Sequence, residues 1–157
     1  RFHTPNGIHP KFITKEVANI MKDVNFKTVR LSLETINEKR EEESSFKVNF
    51  QEFEKSIRNL LDAGFTKNEI GVYILAGLPY QTPEEVMNTI KILKDYPIKI
   101  KIAEYSPIPG TIDFEIAKKI YPDLPLSNPL FQNNSIYPLW NFENKWEIIH
   151  HIKRLIK

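Results

Sequence analysis

Gly71-Val-Tyr-Ile-Leu-Ala-Gly-Leu-Pro-Tyr-Gln-Thr-Pro-Glu-Glu-Val86 reads as a buried strand, a tight turn and a helix start. The strand, Ile70–Ala76, is apolar on both faces, which suits a parallel strand covered on both sides. Gly77 lets the backbone turn and Pro79 stiffens the exit. Thr82 is a good N-cap, with Pro83 at the first helical position and Glu85 completing a capping box. The chain thus leaves the C-terminal end of a strand and enters a helix within about five residues. In parallel α/β folds that edge is where ligands bind.

Working outward, other segments repeat this layout. Arg1–Thr4 reads as the end of a strand, followed by the turn Pro5-Asn6-Gly7. Thr14 caps a helix whose Val17, Ile20, Met21 and Val24 keep an amphipathic spacing. Lys27–Glu34 is the next strand: Val29, Leu31 and Leu33 fall on one face, Arg30, Ser32 and Glu34 on the other. The polar face would be unfavourable under a helix layer and makes sense facing a polar lumen or cleft. Residues 35–48 hold a dense charge run; its composition favours a solvated loop, and an active-site lid is the sharper alternative. Asn49 caps a helix with Phe53, Ile57, Leu60 and Leu61 as its buried stripe, ending before Gly64. Downstream, Val86, Ile90 and Leu93 form the inward stripe of the helix from Pro83, which stops near Pro97. A fourth strand, Ile98–Tyr105, ends in Ser106-Pro-Ile-Pro-Gly-Thr111, and a helix covers about 112–120.

The order β-α-β-α-β-α-β-α implies a parallel sheet with right-handed crossovers. The fold class is therefore α/β: parallel βα units forming about four strands of a partial TIM-like barrel over residues 1–120, with an irregular segment and an amphipathic helix over 121–157. Trp146, Ile149, Ile152 and Ile156 make that last helix's apolar stripe. The tail is expected to cover part of the strand edges that an isolated half-barrel exposes; edges left open would favour a dimer of the fragment.

Composition narrows the function. The 157 residues are 41% hydrophobic, enough for a core, and 22 basic against 20 acidic residues give a net charge of +2. That balance argues for neither nucleic acid nor an anionic membrane as partner. There is no cysteine, so neither disulfides nor thiolate metal ligands. No apolar run approaches the roughly 20 residues that span a bilayer, and a cytoplasmic setting is the default. His150 and His151 are adjacent on a helix and diverge, while His3 and His9 lack further ligands, so no metal site is assigned. The turn at Gly77 has neither a dinucleotide fingerprint nor a P-loop lysine. No catalytic residue is assigned. The chain starts at Arg1 inside an element and reads as a piece of a longer protein.

Four strand ends carry distinctive turns: His3-Thr-Pro-Asn-Gly7, Ser32-Leu-Glu-Thr35, Gly77-Leu-Pro-Tyr-Gln-Thr82 and Ser106-Pro-Ile-Pro-Gly-Thr111. A parallel sheet puts all four on one rim, which points to a ligand site. Arg30-Leu-Ser-Leu-Glu-Thr35, Gly71-x-Tyr-x-Leu-x-Gly-Leu-Pro-x-Gln81 and Tyr105-Ser-Pro-Ile-Pro-Gly-Thr111 resemble the later strands of the radical S-adenosylmethionine (SAM) superfamily. His3-Thr-Pro-Asn-Gly7 is similar to the third strand end of that family, notably in the branch with an upstream cobalamin-binding domain. The resemblance covers about residues 1–111.

The resemblance implies a six-unit partial barrel of which this chain carries strands three to six. In that family three cysteines after the first strand hold a [4Fe-4S] cluster, which cleaves SAM to a 5′-deoxyadenosyl radical. That motif would lie upstream, so the segment alone is expected to be inactive, to bind no cofactor by itself, and to need the N-terminal part of its own parent chain. Ser32 and Glu34 match fourth-strand positions that contact the ribose or methionine part of SAM, with Arg30 on the same face. Leu75 and Gly77 match the adenine-side positions of the fifth strand, although Tyr80 stands where the motif's usual glutamate would be. Ser106 and Pro107 match the sixth-strand turn, whose backbone can read adenine. Strand parity and rim position nominate His3, Asn6, Tyr73 and Tyr105 as substrate-facing. Three alternatives stay open: an Arg30–Glu34 pair that serves packing alone, a catalytically inert α/β binding module, and a fragment of an ordinary (β/α)-barrel hydrolase or lyase using Glu34 as acid or base.

Overall fold

Alternation of apolar and polar side chains along Phe26–Ser32 is what sets the sheet. In a computed structural model that describes residues 1–33, 49–132 and 137–157, Val29, Leu31 and Leu33 have no exposed surface while Arg30 and Ser32 are half-buried. Four strands, β1 (Phe2–His3), β2 (Phe26–Ser32), β3 (Ile70–Ala76) and β4 (Lys99–Glu104), pair in the order β1-β2-β3-β4. The β1–β2 and β2–β3 ladders are parallel, the latter in the register Arg30↔Gly71 and Ser32↔Tyr73. Helices α1 (Lys15–Asp23), α2 (Phe50–Asp62), α3 (Pro83–Leu93), α4 (Ile112–Ile120) and α5 (Lys145–Leu155) complete the chain, with short 3-10 turns at Pro10–Phe12 and Pro129–Gln132. This is an α/β fold with an open parallel sheet, the architecture expected of part of a TIM-like barrel.

The helix starts follow the capping chemistry. The side chains of Thr14, Asn49 and Thr111 accept from the amides of Val17, Gln51 and Phe114, and Thr82 Oγ1 accepts from Glu85 N at 3.3 Å. Each bond satisfies a donor that the first helical turn leaves unpaired.

The chain separates into two compact units. One comprises Arg1–Ile74, Asn88–Lys101 and Ile156; the other comprises Leu75–Met87, Ile102–Leu155 and Lys157. In the first, α1 and α2 pack on each other. Phe53, Ile57 and Leu60 of α2 are buried, and the rings of Phe50, Phe53 and Tyr96 cluster with centroids 5.7–6.2 Å apart. The Tyr96 hydroxyl donates to Glu54 at 2.5 Å; burial and that carboxylate push its pKa up to about 12. In the second unit, Leu78, Tyr105, Phe114, Ala117, Leu126 and Leu139 form an apolar cluster. Residues of the 121–157 segment belong to that core rather than standing clear of it: Tyr137, Leu139 and Trp140 are buried, and Lys153 pairs with Glu104 at 2.8 Å.

Two helix stripes differ from their expected positions. α1 buries Ala18 and Met21, whereas Val17, Ile20 and Val24 are exposed. α5 buries Ile149 and Ile152 and leaves Trp146 half exposed. In α1 the inward face passes through Ala18, the smallest residue of the helix, which allows close approach; the bulkier branched residues lie beside that line. The charge run at 35–48 and its lid alternative lie outside the described residues. Among the described residues no helix is long and apolar enough to cross a membrane.

Glu69 secures the turn entering β3. Its carboxylate accepts from Thr66 N at 2.8 Å and Thr66 Oγ1 at 3.1 Å and pairs with Lys22 at 3.2 Å. The Thr66 amide bond, reinforced by Lys22 against the opposing cost of burial, holds its pKa below the ordinary 4.5. A carboxyl depressed in the folded state contributes stability above its unfolded pKa and loses it as pH falls through the folded value. Glu69→Gln should therefore lower the urea midpoint at pH 7 and flatten its fall below about pH 4.5. An acid limb identical to that of the unmodified chain would contradict this assignment.

Candidate functional site

In the first unit the segment after β1 is strapped to β2. Thr4 N donates to Thr28 O at 3.1 Å, and Ile8 N donates to Arg30 O while Ser32 N donates to Ile8 O, at 2.8 and 3.0 Å. Between them Thr4 Oγ1 accepts from Arg30 N at 2.7 Å, so a buried hydroxyl replaces a ladder carbonyl. Pro5, Asn6 and Gly7 loop out over this gap, with Asn6 exposed. Gly7 is required by close approach: a Cβ there would collide with Ser32 Oγ and sit 2.8 Å from Ser32 N.

The strap leaves one face of β2 polar and accessible. His3 Nδ1 is 3.0 Å from Thr28 Oγ1, and Thr28, Arg30 and Ser32 alternate along this face. In register beside them stand Gly71 and Tyr73 of β3. The absence of a side chain at Gly71 makes room for Arg30, whose Nη1 would be 3.5 Å from a Cβ built there. The guanidinium lies over the Tyr73 ring, 5.7 Å from its centroid. Among the described residues Arg30 has no carboxylate within ion-pair distance. His3, Arg30, Ser32 and Tyr73 therefore share a face; Glu34, and with it any Arg30–Glu34 pair, lies outside the described residues.

In the second unit the turn after β3 carries Leu75, half-buried, and Gly77, whose φ of +92° belongs to the left-handed region that favours glycine. Tyr105 N donates to Ala76 O at 2.8 Å, which sets the start of the Ser106–Thr111 turn beside Gly77. Ser106 is half-buried and Pro107 buried. Tyr105 is itself 8% exposed within the apolar cluster, and among the described residues its hydroxyl has no hydrogen-bond partner. Burial, with a smaller contribution from the charge of Asp113, pushes its pKa up to about 12.

Sequence reasoning assigned no role to the residues that hold this turn. Gln81 Oε1 accepts from Gly77 N at 2.7 Å and Leu78 N at 3.2 Å, and its Nε2 donates to Leu75 O at 2.9 Å. Trp140 Nε1 donates to Gln81 O at 2.9 Å. Trp140 stacks on Tyr137 at 5.3 Å. The phenol of Tyr137 is raised in pKa by burial, then by the charge and hydrogen bond of Glu104. Lys145 donates to Tyr137 O at 3.0 Å, and desolvation lowers its pKa. The available signals were a glutamine four residues beyond Gly77 and an aromatic Tyr137-Pro-Leu-Trp140 in an otherwise Pro- and Asn-rich segment.

The arrangement offers a cationic, hydroxyl-bearing strand face in one unit and an apolar turn with spent amides in the other. Among the described residues no three His, Asp or Glu side chains gather to hold a metal. A concavity of about 290 Å³ in the first unit is lined by the Pro10–Phe12 turn, the start of α1 and α2, with Lys11, Glu52, Lys55 and Asn59 among its walls. Compared with known proteins, residues 3–93, more than half of the chain, match the family model of the Radical SAM superfamily. No curated protein matches the chain.

Proposed function

The chain belongs to the radical SAM superfamily, and from that premise we propose that it supplies the SAM-flanking and substrate-facing part of the catalytic domain of such an enzyme. The observation that carries this reading is the open polar face of β2, with Arg30 and Ser32 beside Gly71 and Tyr73. SAM presents a carboxylate, ribose hydroxyls and an adenine ring. Arg30 fits the carboxylate, because a guanidinium offers a bidentate fork and is already oriented by the Tyr73 ring. Ser32 Oγ can donate to or accept from a ribose hydroxyl, and Glu34 is the proposed carboxylate acceptor for a ribose hydroxyl or an ammonium. Within the second unit Leu75, Gly77, Ser106 and Pro107 are the proposed adenine-side groups: Leu75 offers an apolar cover, Gly77 the turn that carries it, and the backbone at Ser106 and Pro107 a polar edge. His3, Asn6 and Tyr73 are the proposed substrate-facing groups; Tyr105, whose phenol is buried in the apolar cluster, is proposed to border the substrate space only from behind the Ser106 turn.

The superfamily generally binds SAM together with a [4Fe-4S] cluster, which supply radical chemistry when bound. The cluster does not fit the residues present: without cysteine none of them offers it a thiolate. In the proposal its ligands come from an N-terminal part of the parent chain, in a branch that also carries an upstream cobalamin-binding domain, and the setting is cytoplasmic. The barrel part occupies residues 1–120 and residues 121–157 form the appended segment. Strand edges left open in the isolated segment would favour its dimerisation.

The test uses the full natural polypeptide with S-adenosylhomocysteine as probe. Arg30→Ala should weaken binding by calorimetry about tenfold, the loss of one charge-assisted contact. Arg30→Lys should recover part of it, since an ammonium gives a point charge and no fork. If Arg30 serves only to pack over Tyr73, the substitution lowers the melting temperature and leaves affinity unchanged, and the proposal fails.

A further inference from the structure

Gln81 and Trp140 grip the Gly77 turn from within the fold. Gln81 is 6% exposed and Trp140 3%, too buried to make more than marginal contact with a bound molecule. The turn presents two amides, Gly77 N and Leu78 N, and one carbonyl, Leu75 O, all directed to the same side chain. A carboxamide suits this set: one oxygen with two lone pairs and a donor nitrogen satisfy all three groups, whereas a carboxylate lacks the donor and a thioether lacks both strong partners. Trp140 then fixes Gln81 from behind through its carbonyl. Its own ring is stacked on Tyr137, which a Cβ on Gly77 would approach to 3.2 Å.

We propose that Gln81 and Trp140 are positioning residues for the adenosine-binding wall, holding the Gly77–Leu78 turn at the height where Leu75 meets the base. This rests on the SAM-binding reading of the chain. It also has a consequence for recognition: because the Gly77 and Leu78 amides are directed inward, contact at this turn is apolar and polar reading of the base falls to other groups.

The test again uses the full natural polypeptide and S-adenosylhomocysteine, with Gln81→Met and Trp140→Phe. Each should speed hydrogen exchange at the Gly77 and Leu78 amides. Each should also raise Kd about five- to tenfold, the effect of losing a buried hydrogen bond worth about 1 kcal/mol. Phe114→Leu, a change in the nearby apolar cluster, should lower the melting temperature while Kd stays within about twofold, so general destabilisation is separated from positioning. Trp140→Phe keeps the ring and carries the test if Gln81→Met fails to fold. Faster exchange with unchanged Kd would overturn the positioning role and leave the site reading intact. Failure of the unmodified protein to bind the probe would overturn the site reading and the positioning role with it.

Discussion

Gly77→Ala is expected to lower the melting temperature by roughly 5–15 °C, a loss of about 2–4 kcal/mol for a chain of this size. Two costs combine. At φ +92° an L side chain is strained, because its Cβ is forced against backbone oxygen. The added methyl would also stand 3.2 Å from Tyr137 Cδ1. That contact could be relieved only if the ring moved, and Tyr137 is 1% exposed, its ring stacked on Trp140 and its hydroxyl hydrogen-bonded to Glu104, while its backbone carbonyl accepts from Lys145 Nζ. A double-mutant cycle separates the two costs. In a Tyr137→Leu background the steric part should shrink while the backbone part persists, so Gly77→Ala should cost less there but still more than nothing. A neutral or stabilising Gly77→Ala would show that the turn is free to relax and would remove the basis for a fixed wall after β3.

The contrast between what could be read in the chain and what could not follows the range of the interactions. Lys27–Glu34 announced its own orientation, since period two leaves one choice of face, and Val29, Leu31 and Leu33 are all fully buried. Thr14, Asn49 and Thr82 cap the helices they precede, because a cap and its amides lie within three residues. α1 was harder: its apolar residues wrap more than one line, and packing against α2 selected Ala18 and Met21 over Val17, Ile20 and Val24. Trp146 likewise fits the α5 periodicity yet faces outward. The bond from Trp140 to Gln81 joins residues 59 apart in sequence, and no local pattern encodes that partnership. Among the site residues, strand parity placed Arg30 and Ser32 on one face; that Tyr73 stands beside them follows from the β2–β3 register, which parity within one strand does not give. Parity could not show that the Tyr105 phenol would be enclosed by Leu78, Phe114 and Leu139.

Gly7→Ala should cost about 2–3 kcal/mol in unfolding free energy, from overpacking combined with weakened hydrogen bonds of the strap. The Ser32 hydroxyl could rotate away from a new methyl group, but the backbone cannot: Ser32 N would lie 2.8 Å and Leu31 C 3.1 Å from it. Both belong to β2 at the level where Ile8 bridges Leu31, so relief requires the loop to lift and the Ser32 N to Ile8 O bond to lengthen. The Ser32 amide should therefore lose protection from hydrogen exchange in the variant, while the Val29 amide, bonded to Glu69 O on the other side of the strand, should keep it. In a Ser32→Ala background the hydroxyl clash is gone and only the backbone part remains, so Gly7→Ala should cost less there without becoming neutral. Because Ser32 and Arg30 share the face that the strap borders, the lifted loop should also weaken S-adenosylhomocysteine binding in the full natural polypeptide by about threefold or more, less than one kcal/mol at the lower bound. A variant with unchanged unfolding energy and an unchanged Ser32 amide would mean that the loop after β1 does not define the edge of this site.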